Sequence, residues 1–329
     1  MHRKSLAMYE ATVGKDHKYC AIPHKEIGKT LEAMGEFEES LSELRIALKI
    51  RVEEVGEDHV DTAEIHAGIG SVLEEMGNYE GAMTEIRKAI EVREAAHGTE
   101  HPDTASLYGL LGSLMFAQGD LDGALVEMRK GLAIEECVKG KKSTETASSY
   151  NNIGLVFKTK GDLGEALVYY RRALDIFEST HGDDHPNTAR ALNNVGAVLQ
   201  LQEEFEEALK SFRQALEIKE SILPPEHPDI ATSHNNIASL LCDMKEYDAA
   251  LEHLGKALTI REKIYGEDHM KLVSCYNNIG GTCQERGDYQ GALDALRKSL
   301  DITEAHLGKK SPEAKELLDR IYLLLRATR

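Results

Sequence analysis

The 329-residue chain has no tryptophan, only 5% aromatic residues, and too little positive charge to balance its acids, leaving a net charge of −18. Scarce aromatics leave the interior to aliphatic and small side chains, within a hydrophobic content of 41%. The shortage of Lys and Arg argues against binding nucleic acid or an anionic membrane, both of which need a basic face. Five cysteines (Cys20, Cys137, Cys242, Cys275, Cys283) form no CxxC pair. Cys275 and Cys283, eight apart on one expected helix, stand roughly 12 Å apart, too far to bridge. Free thiols in a reducing compartment follow, and a cytoplasmic location is expected. No stretch approaches 18 apolar residues, so no membrane span is expected. No HExxH, GxGxxG or Ser/His/Asp order is present, so neither an enzyme nor a cofactor is expected.

What the chain does have is a period. Gly35-Glu36-Phe37, Gly77-Asn78-Tyr79, Gly119-Asp120-Leu121 and Gly161-Asp162-Leu163 are followed by Glu203-Glu204-Phe205, Lys245-Glu246-Tyr247 and Gly287-Asp288-Tyr289, each 42 residues after the last. A fixed period of this size signals a solenoid whose units bury their apolar faces only on neighbours. In the unit 161–202, Leu163, Ala166, Leu167, Tyr170, Ala173 and Leu174 have helical spacing. Gly182 ends that helix, and the loop to Asn187 leads into a second one carrying Ala189, Leu192, Val195, Gly196 and Leu199. Small residues recur in columns: Ser40 through Ala292, Ala47 through Ser299, and Gly28, Gly70, Gly112, Gly154, Gly196, Ala238, Gly280. Such columns mark places where two helix backbones approach closely.

Ile153-Gly154, Phe157, Leu163, Ala166, Tyr170 and Ala173 resemble the tetratricopeptide (TPR) pattern, without its Trp and terminal Pro. The longer unit, with Asn-Asn in its helix A and a His-Pro-Asp-like loop before it, is similar to the 42-residue repeats of kinesin light chains and nephrocystin-3-like proteins. The resemblance implies an all-α, right-handed α-solenoid. We expect a single array: a half-repeat over 1–34, full repeats near 35–76, 77–118, 119–160, 161–202, 203–244, 245–286 and 287–328, and a last helix acting as cap.

In such proteins helix A lines a concave groove. Here it carries Asn151, Asn193, Asn235 and Asn277 at matching places. A row of carboxamides can hold a peptide backbone, or can bond neighbouring backbone and stiffen the stack. The second residue of each pair (Asn152, Asn194, Asn236, Asn278) is expected to be structural. Lys158, Arg190, Gln200, Ser239 and Gln284 complete the candidate partner-binding set, with Asp243 and Glu285 beside them. The first three repeats carry Lys25, Ala67 and Gly109 in place of the row Asn, so a peptide site is expected between about 145 and 290. The loop histidines His17, His59, His101, His185, His227 and His269 are expected to cap helices, since adjacent solenoid loops lie too far apart to share a metal ion. Lys139-Gly140-Lys141-Lys142-Ser143-Thr144 superficially resembles a P-loop, but Glu135 stands where the first Gly is needed. The last helix shows Leu317, Leu318, Ile321, Tyr322 and Leu325, an expected association surface. The expected function is a non-enzymatic scaffold or adaptor that binds a peptide or helix of another protein. Alternatives are a structural subunit of a large assembly and a regulatory array of a larger protein.

Overall fold

The computed structural model describes residues 2–15 and 17–327. The described chain is 84% helical and contains no strand. Its helices are α1 His2–Val13, α2 Ala21–Ala33, α3 Phe37–Val55, α4 Val60–Glu75, α5 Tyr79–His97, α6 Pro102–Ala117, α7 Leu121–Val138 and α8 Thr144–Lys160. They continue as α9 Leu163–His181, α10 Pro186–Leu201, α11 Phe205–Ile222, α12 Pro228–Asp243, α13 Tyr247–Tyr265, α14 Val273–Arg286, α15 Tyr289–Leu307 and α16 Pro312–Ala327. Even-numbered helices are of type A and odd-numbered ones of type B. By contacts the chain divides into two compact units, residues 1–176 and 177–329, with the division falling inside α9.

Each A helix packs most extensively on the B helix that follows it, through α2/α3, α4/α5, α6/α7, α10/α11, α12/α13 and α14/α15. The glycine column explains how closely. A Cβ added at Gly70 would sit 2.7 Å from Ile86, at Gly112 2.5 Å from Met128, and at Gly196 2.9 Å from the Phe212 ring. In each case the neighbour lies sixteen residues on, across the A–B seam. Gly131, in the second small column, is tighter still: its Cβ would come within 2.7 Å of the Ala105 backbone oxygen. Leu44, Ile69, Ile86, Leu111 and Leu114 form the continuous core of the first unit. Leu293, Leu296, Leu317, Ile321 and Leu324 close the end of the second.

Turns repeat as faithfully as helices. Gly35, Gly77, Gly119, Gly161 and Gly287 all have positive φ at the A-to-B turn, where L side chains are strained. Glu203 and Lys245 occupy the same place with φ 61, the two non-glycine residues to do so among the described residues. In the B-to-A loops, Nδ1 of His59, His101, His185 and His227 accepts a hydrogen bond from the backbone N–H two residues on, capping α4, α6, α10 and α12. His17 and His269 cap the short 3-10 turns that lead into α2 and α14. The capping role expected from sequence is thus the observed one, and it requires the ring proton on Nε2. Ser143 takes the same role for α8, so the Lys139–Thr144 loop is a cap, with Lys139 paired to Glu145 at 2.8 Å.

Candidate protein-binding site

The A–B seams carry polar links at fixed sequence separations. In the first unit, Nδ1 of His24 meets Glu43 at 2.5 Å and Nδ1 of His66 meets Glu85 at 2.5 Å. In the second, the same columns bring Nδ1 of His234 to Nδ1 of His253 at 2.9 Å. Tyr276 donates to Glu262 at 3.0 Å, and burial followed by that carboxylate pushes its hydroxyl up to about 12. These links orient the helices and leave the exposed A-helix stripe for contact.

On that stripe, the row asparagines are half-buried and turned toward the seam. Asn193 donates from Nδ2 to the Ala189 carbonyl at 3.0 Å, one turn earlier, and its Oδ1 is buried without a partner. Asn235 likewise buries an unpaired Oδ1. Asn277 accepts from the hydroxyl of Ser299 at 2.9 Å, the one hydroxyl-bearing residue in a column that elsewhere holds Ala or Gly. Asn151, in α8 of the first unit, is half-buried and engaged. Contrary to the sequence-based expectation, Asn152 and Asn278, the second members of their pairs, are exposed.

Between α12 and α14 lies a cleft of about 270 Å³ lined by Asn235, Ser239, Asp243, Asn277, Asn278 and Glu285, with Cys242 and Thr282 at its base. Gln200 of α10 donates across to Asp243 at 2.5 Å and to Ser239 at 3.4 Å, tying three successive A helices together. Of the candidate residues, Asn235, Ser239 and Asn277 therefore meet, and Gln200 reaches their rim. Arg190 and Gln284 are exposed outside the cleft, while Lys158 lies half-buried on α8 of the first unit. Cys242 and Thr282 did not stand out in sequence. Their sulfur–oxygen contact of 3.2 Å seals the cleft floor, and burial pushes the Cys242 thiol up. Their spacing of 40, one helix-to-helix step on the A face, was the available signal. Two carboxylates and no cation give the cleft an acidic, acceptor-rich lining.

On α16, Leu317 and Ile321 are buried against α15, so they belong to the core and not to an association surface. Leu318, Tyr322 and Leu325 do face outward, at 43%, 61% and 38% exposure, with Leu323 beside them at 62%. Among the described residues no three His, Cys, Asp or Glu side chains converge to hold a metal ion. No helix among them is long and apolar enough to cross a membrane.

The tetratricopeptide repeat family model matches residues 19–84, 61–136, 145–221 and 229–305. The chain belongs to the tetratricopeptide repeat family. No curated protein matches it significantly. Among solved structures, this TPR protein is similar to BtubC (BKLC) from P. vanneervenii at 20% identity and TM-score 0.59, over 70% of this chain and 90% of that one. It is also similar to the nearly identical TPR-like repeats of a Podosopora anserina protein described as a kinesin light chain, at 17% identity and TM-score 0.56, over 63% of this chain and 98% of that one. A third similar structure is the C-terminal part of a TPR repeat-containing protein from Cytophaga hutchinsonii, at 15% identity and TM-score 0.55, over 89% and 98% of the two chains. At these identities the likeness shows the α-solenoid fold alone. TPR repeats generally mediate protein–protein contacts and are typically non-enzymatic, which sets this TPR protein in the broad class of interaction scaffolds.

Proposed function

We propose that the protein is a non-enzymatic scaffold, working in the cytoplasm as one repeat array, that holds an extended segment of another protein against the A helices of residues 177–329. The observation that carries this reading is the α12/α14 cleft, where Asn235, Asn277 and Asn278 offer carboxamides between the carboxylates of Asp243 and Glu285. The buried, unpaired Oδ1 of Asn235 is an acceptor that a bound backbone N–H can satisfy after a small side-chain rotation. The acidic lining favours a segment rich in donors or basic residues over an acidic one. Arg190, Gln200 and Gln284 extend the same A-helix stripe on either side, and Lys158 has the matching position in α8.

The test is affinity purification of the full chain from its source, followed by re-binding of each recovered protein to variants. Asp243→Arg and Glu285→Arg reverse exposed charges without touching the seam and should reduce capture at least tenfold. Partners retained by both variants would overturn the reading. The exposed Leu318, Tyr322 and Leu325 favour a second reading, a subunit of a larger assembly that associates through α16. Loss of co-purification in Tyr322→Ser with full retention in the cleft variants would select it.

A further inference from the structure

The repeat departs from its own pattern at several columns around α12 and α13. Helix B carries an exposed arginine at Arg45, Arg87, Arg129, Arg171, Arg213 and Arg297, but Gly255 in the sixth of these seven positions. The loop glycine of Gly56, Gly98, Gly140, Gly182, Gly266 and Gly308 is replaced by Pro224, followed by Pro225. The seam pair is His234–His253, where the first unit has His–Glu.

Pro225, His234 and Gly255 line a single cavity of about 680 Å³, together with Glu220, Ile230 and Ile260. The cavity one repeat earlier, lined by equivalents such as Glu178, Thr188, Leu192 and Ile218, measures about 320 Å³. The larger volume falls in the range of sites that enclose a ligand or a side-chain cluster. Its chemistry is uneven. Ile230, Ile260 and Pro225 give apolar walls, and nothing lies within 4 Å of a Cβ built at Gly255. His234 is 5% exposed; its Nδ1 is spent on His253, and its Nε2 has no hydrogen-bond partner among the described residues. Glu252, also at the wall, is neutralised by Lys256 at 2.6 Å. Glu220 is exposed and without a partner among the described residues.

We propose that this cavity is a second recognition site that takes the arginine side chain of a partner protein's segment. The aliphatic stem lies along Ile230 and Ile260, and the guanidinium faces the Glu220 carboxylate and the ring of His234. The incoming group supplies the kind of side chain that the protein's own helix B omits at Gly255. A carboxylate with two free oxygens matches a planar guanidinium in a bidentate way that an ammonium cannot reproduce. This site is separate from the α12/α14 cleft, so either can fail alone.

The test uses the full chain and acetyl-Ala-Arg-Ala-amide, with the citrulline analogue as an uncharged control of equal shape. Binding is read from the ring NMR signals of His234 and His253. The arginine peptide should shift them saturably, with the citrulline peptide about tenfold weaker, the factor of one charge-assisted hydrogen bond. Gly255→Arg, which restores the residue of the other six repeats into open space, should abolish the shift while the helical circular dichroism is unchanged. Glu220→Gln, an exposed and conservative change, should weaken binding about tenfold even if Gly255→Arg proves unstable. No saturable shift, equal binding of the citrulline peptide, or undiminished binding by both variants would overturn the proposal. Loss of the peptide response in Asp243→Arg would assign it to the cleft and overturn the proposal equally.

Discussion

The two compact units solve the same seam problem with opposite chemistry. At matching columns the first pairs His66 with Glu85, a donor with a carboxylate, while the second pairs His234 with His253. The carboxylate of Glu85 is held below its usual range, chiefly by the hydrogen bond from His66. His234 is pushed down to about 4 by burial first, then by the charges of His253 and Lys256, against a small opposing effect of Glu252. His253 is pushed down as well, by burial and then Lys256, with Arg213 adding to it. One backbone therefore accommodates a link that acid leaves alone until the carboxylate range and another that acid attacks early.

The most severe test of how alike the seams are is to crowd them. Gly131→Ala in the first unit pushes a methyl into the Ala105 backbone oxygen and should cost about 3 kcal/mol, because backbone cannot step aside. Gly196→Ala in the second meets only the edge of the Phe212 ring and should cost about 1–2 kcal/mol. Ala238, which sits naturally opposite Leu254 at the matching place, shows that a smaller neighbour tolerates the methyl. Denaturant midpoints of the two variants in the reverse order would break the comparison.

Acid should separate the units next. An unfolded histidine takes its proton near 6.5, whereas the folded His234–His253 pair resists until about 4. Between those values the unfolded chain binds more protons, so this contribution is complete above about pH 6.5 and lost as pH falls through the window. The loss is on the order of 2 kcal/mol, titrating as a pair. The Glu85 contribution has the opposite range: it is present above the usual carboxylate value and disappears only below it. Hydrogen exchange followed from pH 7 to 4.5 should show α12 and α13 loosening before α4 and α5. His253→Glu, which installs the first unit's chemistry, should remove that difference. Equal loosening in the variant would refute the assignment.

Turns offer a smaller effect. The first unit uses glycine at every A-to-B turn, while the second places Glu203 and Lys245 at φ 61. Glu203→Gly and Lys245→Gly should each stabilise by about 0.5–1 kcal/mol by relieving the left-handed backbone, seen as a raised melting midpoint. The smallest effect is expected at the A-to-A contacts. Gln200→Ala in the second unit and Ser71→Ala in the first, which loses its 2.6 Å bond to Glu32, should each change stability by less than about 0.5 kcal/mol.

Most of the fold was readable because a repeat states each structural requirement seven times. Close approach of helices shows as a column of Gly and Ala, and a cap shows as a column of His before Asp or Asn, so chance resemblance at one position is averaged out. The candidate site was readable only to the level of a helix face. Asn277 and Asn278 differ by about 100° of rotation around one helix, and whether the first or the second meets solvent depends on small changes in packing that no column records. Leu317 and Leu318 present the same ambiguity on α16, one buried and its neighbour exposed. Partner choice was the least legible. Gln200 meets Asp243 because two A helices lie side by side, a distance in space that sequence expresses only as a separation of 43. Gly255 needed the other six arginines as a backdrop and the cavity beneath it before it meant anything.

That separation of 43 is also the longest reach of any hydrogen bond described here. A molecule whose ties never extend past the adjoining hairpin has no keystone. Damage at one link stays local, 42-residue cassettes can be removed or duplicated without rewiring what remains, and the chain can begin to form wherever two hairpins first touch. Length itself then becomes an adjustable property, tuned by counting.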